Sequence, residues 1–344
     1  MKISVVRNAL MLLLVVSFAK AQSGFKEIKL PQAIAGVNEE FSGMASYKGR
    51  IYLIPQYGDH KETLLNGDFN IYSLSSDSIQ RVIDGKDAAL TSFKATPVLG
   101  LDKLPDSVKQ NYQGFEAISV VNNTVYLSIE TDDKYAYCFL LKGKLDVVRN
   151  QIVIDTKHFA GIKRYPAISN AGFESVTYVP TLNKLVAFYE FNAMPNGGVG
   201  YLIDTALKHQ PEKISAPFLY FRLTDIAATT TGAIYGINYW WNGDYEHYLN
   251  NDYVKSPETK IRQIIPSLRD SLTNNSNYLK QKTFARIVKL NGVNDKQWKQ
   301  VAMFDGYKNN WEGIALFGKG ALIVTDANRS SKQLTTFGYV EFKN

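Results

Sequence analysis

One short design occurs five times along this chain: Phe41-Ser42-Gly43-Met44-Ala45, Phe115-Glu116-Ala117-Ile118, Phe173-Glu174-Ser175-Val176, Thr224-Asp225-Ile226-Ala227 and Trp311-Glu312-Gly313-Ile314-Ala315. A repeat constrains the fold more than composition does, because each unit must bury its apolar face against its neighbours. A turn and a second strand-like run follow each copy: Ile51 to Ile54, Val125 to Ile129, Leu185 to Tyr189, Ile234 to Ile237 and Leu322 to Thr325. These runs end on Gln56, Glu130, Glu190, Asn238 and Asp326, which follow Ser42, Glu116, Glu174, Asp225 and Glu312 by 14, 14, 16, 13 and 14 residues. That is the length of a hairpin of two short strands, which sets the start of the first beside the end of the second.

Further strands are expected at Tyr135 to Leu141 and Leu145 to Ile154, at Phe284 to Leu290 and Trp298 to Phe304, and at Leu334 to Phe342. The last unit lacks an outer strand, and Phe25 to Leu30 is free to supply it. The expectation is an all-β chain, a five-bladed β-propeller of four-stranded antiparallel blades whose N-terminal strand closes the last blade. Its 24 Gly, 21 Tyr and 18 Phe suit many short strands joined by tight turns. Unrelated hairpins in a β-sandwich would have to place five matching polar pairs by coincidence. In a propeller all five pairs meet around one mouth of the central channel.

The repeats are unevenly spaced, and the excess falls in two connections assigned to that mouth. Asp84 to Gly114 joins the first blade to the second, and an insertion at about 239–282 interrupts the fourth. The insertion carries a helix signal, with Ser256 as cap, Pro257 at the first position, and Ile261, Ile264, Ile265 and Leu268 at helical spacing. It either covers propeller surface or gates the mouth. Tyr239-Trp240-Trp241 is either packing beneath that helix or a stacking platform for a ligand.

Lys2 and Arg7, the apolar run Ala9 to Val16, and Ala19-Lys20-Ala21 have the pattern of a cleaved export signal over residues 1–21. Residues 22–344 are then a single propeller domain, expected to be secreted or periplasmic, monomeric, and without a membrane span. The formal charge of +7 falls to +4 without Lys2, Arg7 and Lys20. No dense basic stripe supports nucleic-acid binding, although a basic balance helps to attract an anionic substrate. Cys138, the only cysteine, sits in an apolar run and is expected to be a buried small hydrophobe.

Acidic side chains crowded at a channel mouth repel one another, so either some stay protonated or a cation holds them. The oxygen-only set Ser42, Glu116, Glu174, Asp225 and Glu312 favours a hard ion, calcium first. A water-filled polar channel is the alternative. Glu130, Glu190 and Asp326 are candidate outer-shell ligands or general bases, and His60 is a candidate acid or base. Arg164, Arg222, Lys308 and Arg329, with Trp240 and Trp241, are candidate contacts for a small anionic substrate, each arginine or lysine being otherwise an ordinary surface charge.

The order Ser42, Glu116, Glu174, Asp225, Glu312 resembles the five-bladed calcium-activated nucleotidases (soluble apyrases), with Gly313-Ile314 like the end of their last-blade motif. Phe41-Ser42-Gly43-Met44, Phe115-Glu116-Ala117-Ile118 and Trp311-Glu312-Gly313-Ile314 are also similar to bacterial phytase-like and esterase-like propellers. The resemblance implies a calcium ringed by those five residues and calcium-dependent hydrolysis of a phosphoester or phosphoanhydride. The fourth position departs from the nucleotidases, which carry Ser where Asp225 stands. A non-catalytic propeller, with calcium as a brace, is the other reading. Lactonase or arylesterase chemistry on six blades would need a sixth repeat that the sequence does not show.

Overall fold

The computed structural model describes residues 24–58, 69–132, 134–164, 171–194, 197–241, 283–304, 309–329 and 335–342. The expected export signal, the insertion from 242 to 282 with its helix, His60 and Lys308 lie outside these residues.

Strand β1 (Phe25–Glu27) precedes five meanders. The first blade runs β2 (Phe41–Tyr47), β3 (Arg50–Pro55), β4 (Phe69–Ser75) and β5 (Lys94–Leu99). The second is β6 (Tyr112–Val121), β7 (Thr124–Thr131), β8 (Tyr137–Asp146) and β9 (Gln151–Lys163). The third is β10 (Ser175–Val179), β11 (Lys184–Phe188), β12 (Gly198–Asp204) and β13 (Glu212–Ala216). The fourth is β14 (Arg222–Ala228), β15 (Ile234–Trp241), β16 (Thr283–Leu290) and β17 (Lys299–Met303). In the fifth, β18 (Asn310–Phe317), β19 (Gly320–Asp326) and β20 (Phe337–Glu341) are completed by β1, with Phe25 opposite Val340. The innermost strands β2, β6, β10, β14 and β18 pack each on the next, and β18 packs on β2. The chain is a five-bladed propeller closed by its N-terminal strand.

The second strands read as unbroken apolar runs because both faces are covered. Ile51 and Leu53 of β3 share a cluster with Ala315, Leu322 and Val324 of the fifth blade, whereas Tyr52 and Ile54 share one with Ile118, Leu127 and Leu141 of the second. Leu185 and Ala187 of β11 likewise face the second blade, and Val186 and Phe188 the fourth. Five apolar clusters fill the spaces between neighbouring blades, one of them extending onto the fourth. Each Leu or Ile so buried contributes about 1.5–3 kcal/mol. Cys138 is buried in one of these clusters, and desolvation pushes its thiol up to about 12.

Two expectations are corrected. Leu145 to Ile154 is not one strand: Asp146 Oδ1 accepts the amides of Val148 and Arg149 at 3.0 Å each, and this turn separates β8 from β9. Asp84 to Gly114 is not one connection at the mouth, because it contains β5, the fourth strand of the first blade. Helix α1 (Ser76–Ile83), capped by Ser75, leaves β4 at the opposite end, where Ser76 N donates to Gly49 O in the β2–β3 turn at 2.9 Å. Only residues 100–111 return to the mouth. Val98 and Leu99 pair in parallel with Ile152 and Val153, so the first two blades also join at their outer edges. Among the described residues no helix is long and apolar enough to cross a membrane.

Candidate active site at the channel mouth

Each inner strand starts from a buried anchor: Phe41, Phe115, Phe173, Leu223 and Trp311, none more than 2% exposed. The next residue is where four of the five inner strands bulge. Pairing slips between Phe41 and Gly43, Phe115 and Ala117, Leu223 and Asp225, and Trp311 and Gly313. A bulge leaves one residue without a cross-strand partner and re-aims its side chain. The residues so freed are Ser42, Glu116, Thr224 and Glu312; in the third blade Glu174 directly precedes β10.

The ring is therefore Ser42, Glu116, Glu174, Thr224 and Glu312, and the placement of Asp225 in it is corrected by one residue. Asn238 lies 14 residues after Thr224, so the recurring separation already contained this signal. Asp225 occupies the position of Gly43, Ala117, Ser175 and Gly313, where inner strands approach most closely. A Cβ on Gly43 would meet Glu116 O at 3.0 Å, and one on Gly313 would meet Gly43 C at 3.2 Å. The Asp225 carboxylate uses the room those glycines leave. Its Oδ2 accepts the amides of Met44 (3.3 Å) and Ile314 (2.8 Å), and its Oδ1 accepts its neighbour Ile226 N (2.8 Å). It thus ties blades one, four and five together two residues beyond Ser42, Thr224 and Glu312.

The hydroxyls play a related part. Ser42 Oγ donates to Phe115 O at 2.5 Å, Ser175 Oγ to Leu223 O at 2.7 Å and Thr224 Oγ1 to Trp311 O at 2.7 Å, each reaching the next blade. A hydroxyl that donates its proton keeps its lone pairs for another partner.

The three ring glutamates, Glu116 and Glu174 buried and Glu312 half-buried, stand in one another's fields. Desolvation pushes Glu116, Glu174 and Glu312 well above the ordinary carboxyl range, and repulsion adds to it. Glu116 feels Glu130 most, Glu174 feels Glu190, and Glu312 feels Asp326, so the expected second ring stands beside the first. Gln56 Nε2 donates to Glu116 Oε1 at 2.9 Å. Asp326 is itself pushed up to about 6 by burial, opposed by Asn328 N at 2.6 Å and Asn310 Nδ2 at 3.3 Å.

Arg222 is the cation that enters this field. Buried at the start of β14, its Nη1 pairs with Oε1 of the fully buried Glu190, and its charge lowers both Glu174 and Glu312. Arg329 stays at the rim, its Nε 2.6 Å from Glu40 Oε2 and its guanidinium 5.0 Å from the Tyr57 ring centre. Arg164 is not a mouth-lining anion contact. It is buried, with Nη1 on Thr131 O (2.6 Å) and Asp132 O (3.0 Å) and Nη2 on Ala171 O (3.0 Å), a strut between the second blade and the chain leading into the third. Trp240 is not a stacking platform either, since it is fully buried with its ring 5.2 Å from Phe221; Trp241 is exposed. The site also contains Thr224, Glu40 and Asn310, which are not among the residues expected from the sequence. The first had a spacing signal, and the other two had none, because loop geometry brings them in.

Two observations bear on a cation. Glu174 Oε2 is a buried carboxylate oxygen without a hydrogen-bond partner among the described residues, and all five ring side chains offer oxygen. Residues of this kind fit a hard ion. Among the described residues, however, no three His, Cys, Asp or Glu groups are gathered into a ready-made metal cluster, so the carboxylates share a field rather than a point.

No family model and no curated protein matches this chain. Three solved structures share its general outline at low identity. A glycosyl hydrolase from Bacteroides ovatus is 12% identical over 92% of this chain and 94% of its own, with a TM-score of 0.45. A β-xylosidase/α-arabinofuranosidase from a compost microbial metagenome is 9% identical over 93% and 94%, at 0.47. An α-L-arabinofuranosidase from Clostridium thermocellum is 12% identical over 82% and 81%, at 0.44. The five-bladed assignment rests on the strand pairing described above, and the chemistry rests on this chain's own residues.

Proposed function

We propose that the mouth binds a hard divalent cation of the calcium type through Ser42, Glu116, Glu174, Thr224 and Glu312, and that the protein is a cation-dependent hydrolase of a small anionic ester. The observation that carries this reading is the set of three mutually repelling glutamates, Glu116 and Glu174 buried and Glu312 half-buried, one with an oxygen unpartnered among the described residues, beside a buried arginine. With Thr224 in the fourth position the order becomes hydroxyl, acid, acid, hydroxyl, acid. This narrows the departure from the calcium-activated nucleotidases to Thr in place of Ser and supports a phosphoester or phosphoanhydride substrate. The pattern of residues 1–21 supports export.

A bound cation would polarise a phosphoryl oxygen and acidify a coordinated water. Arg222 and Arg329 supply the positive groups that attract and orient the anion. Asp326, titrating near 6, is placed to exchange a proton near neutral pH, with Glu130 and Glu190 beside the ring as further bases. The same observation favours a second reading. Burial that favours the protonated form of one carboxyl beside other acids is also what glycoside hydrolysis requires.

The test is a screen of the full chain on phosphomonoesters, nucleotides, phytate, aryl esters and aryl glycosides, with calcium and with chelator. Chelator-sensitive phosphoester turnover that Glu312→Gln lowers by at least about a hundredfold supports the first reading. Turnover confined to glycosides supports the second. No turnover, with a calcium-dependent rise in Tm, leaves a binding propeller.

A further inference from the structure

Arg286 of β16 stands opposite Asn238 of β15, on the face of the fourth blade that carries Trp240 and Phe284. Its Nε donates to Asn238 Oδ1 at 2.7 Å, and its Nη1 reaches Gln300 Oε1 at 3.3 Å on the exposed side. Its guanidinium carbon lies 6.0 Å from the Phe221 ring centre. Asn238 cannot turn away, because its Nδ2 donates to Tyr220 O (2.8 Å) and Arg222 O (2.9 Å). This fully buried amide therefore holds the guanidinium in one orientation.

No carboxylate forms an ion pair with Arg286 among the described residues. A guanidinium has five N–H donors, and two are used here. Burial lowers its pKa to about 10, the mark of a cation withdrawn from water without a compensating charge. Arg222, buried at the same mouth, is by contrast paired with Glu190. A half-buried guanidinium held in one orientation beside the mouth, with no carboxylate partner among the described residues, is an anion site in waiting.

We propose that Arg286, oriented by Asn238 and backed by Phe221, binds an oxyanion, either the phosphate or carboxylate tail of a ligand whose reacting end lies at the acidic ring or the free ion. The assignment of the reacting end rests on the proposed function; the anion site does not.

The test titrates the full chain with inorganic phosphate by calorimetry and thermal unfolding, against chloride at matched ionic strength. Wild-type protein should bind phosphate and melt higher. Arg286→Met should weaken binding at least about tenfold, the loss of one charge-assisted hydrogen bond, and should lose the phosphate-dependent rise in Tm, measured from its own chloride baseline because the buried Asn238 Oδ1 loses its donor. Arg286→Lys keeps the charge but not the fork, and should also weaken it about tenfold. A phenyl phosphate arm distinguishes a ligand tail from the free ion, since a tail-binding site takes both with similar affinity. No phosphate effect in wild type, or an undiminished one in both variants, overturns the proposal. A calcium titration of the same samples separates this outcome from failure of the acidic ring.

Discussion

Asp225 and Glu174 are both buried carboxylates at the inner strands of adjacent blades, and desolvation pushes both above the ordinary range. Their surroundings differ in kind. Three backbone amides from three strands converge on Asp225, and no neighbouring acid adds to its shift. Glu174 faces Glu190, Glu312 and Glu116 across the mouth and keeps one buried oxygen without a donor. The first carboxylate completes the fold, and the second is left incomplete by it. One residue of register separates these roles, because the bulge turns Thr224 to the ring position and Asp225 to the strand contacts.

The comparison can be broken most sharply at Asp225. Asp225→Ala should lower stability by about 3–5 kcal/mol, because it orphans three amides. Saturating calcium should not restore the loss, as measured by urea unfolding with and without the ion. A small change, or full rescue by calcium, would place Asp225 back in the ring. Glu190→Gln comes next. It removes the charge opposite buried Arg222 and should cost about 3 kcal/mol on the same assay.

Glu174→Gln should behave in the opposite way. In chelator its Tm should equal or exceed that of wild type, because repulsion is relieved, while the calcium-dependent rise disappears. A Tm well below wild type in chelator would make Glu174 a structural group like Asp225.

The pH dependence sharpens the same contrast. Acids raised in the folded state cost nothing below their unfolded values, and the cost grows as pH climbs through the folded ones. Asp326, from 3.8 to about 6, and the three glutamates, raised from 4.5, therefore all destabilise as pH rises. Tm in chelator should fall as pH rises from about 4 through 6, the window of Asp326, and millimolar calcium should flatten the slope. A chelated protein that grows more stable over that window would contradict the shared field. The smallest effect is expected from Thr224→Val, about 1 kcal/mol for the lost bond to Trp311 O, with weaker calcium binding; Thr224→Ser should restore both.

The amino-acid sequence by itself determined the blade unit and the count of five. Anchors such as Phe115 and Trp311, the unbroken apolar runs, and the polar residue closing each hairpin are local features that recur at a separation of 14 in four units and 16 in the third. The same locality placed Glu116, Glu174 and Glu312 together, since strand starts converge in a ring. Only the tertiary structure decided what each polar group meets. Arg164 was indistinguishable from a surface charge until three carbonyls from two blades closed on it, and Trp240 from a stacking ring until Phe221 covered it. Thr224 and Asp225 are neighbours in the same motif, and a single bulge decides which one faces the mouth. A bulge is a property of two paired strands and of the space between blades, so it is set by close approaches such as Gly43 against Glu116 O rather than by the residues of one strand alone.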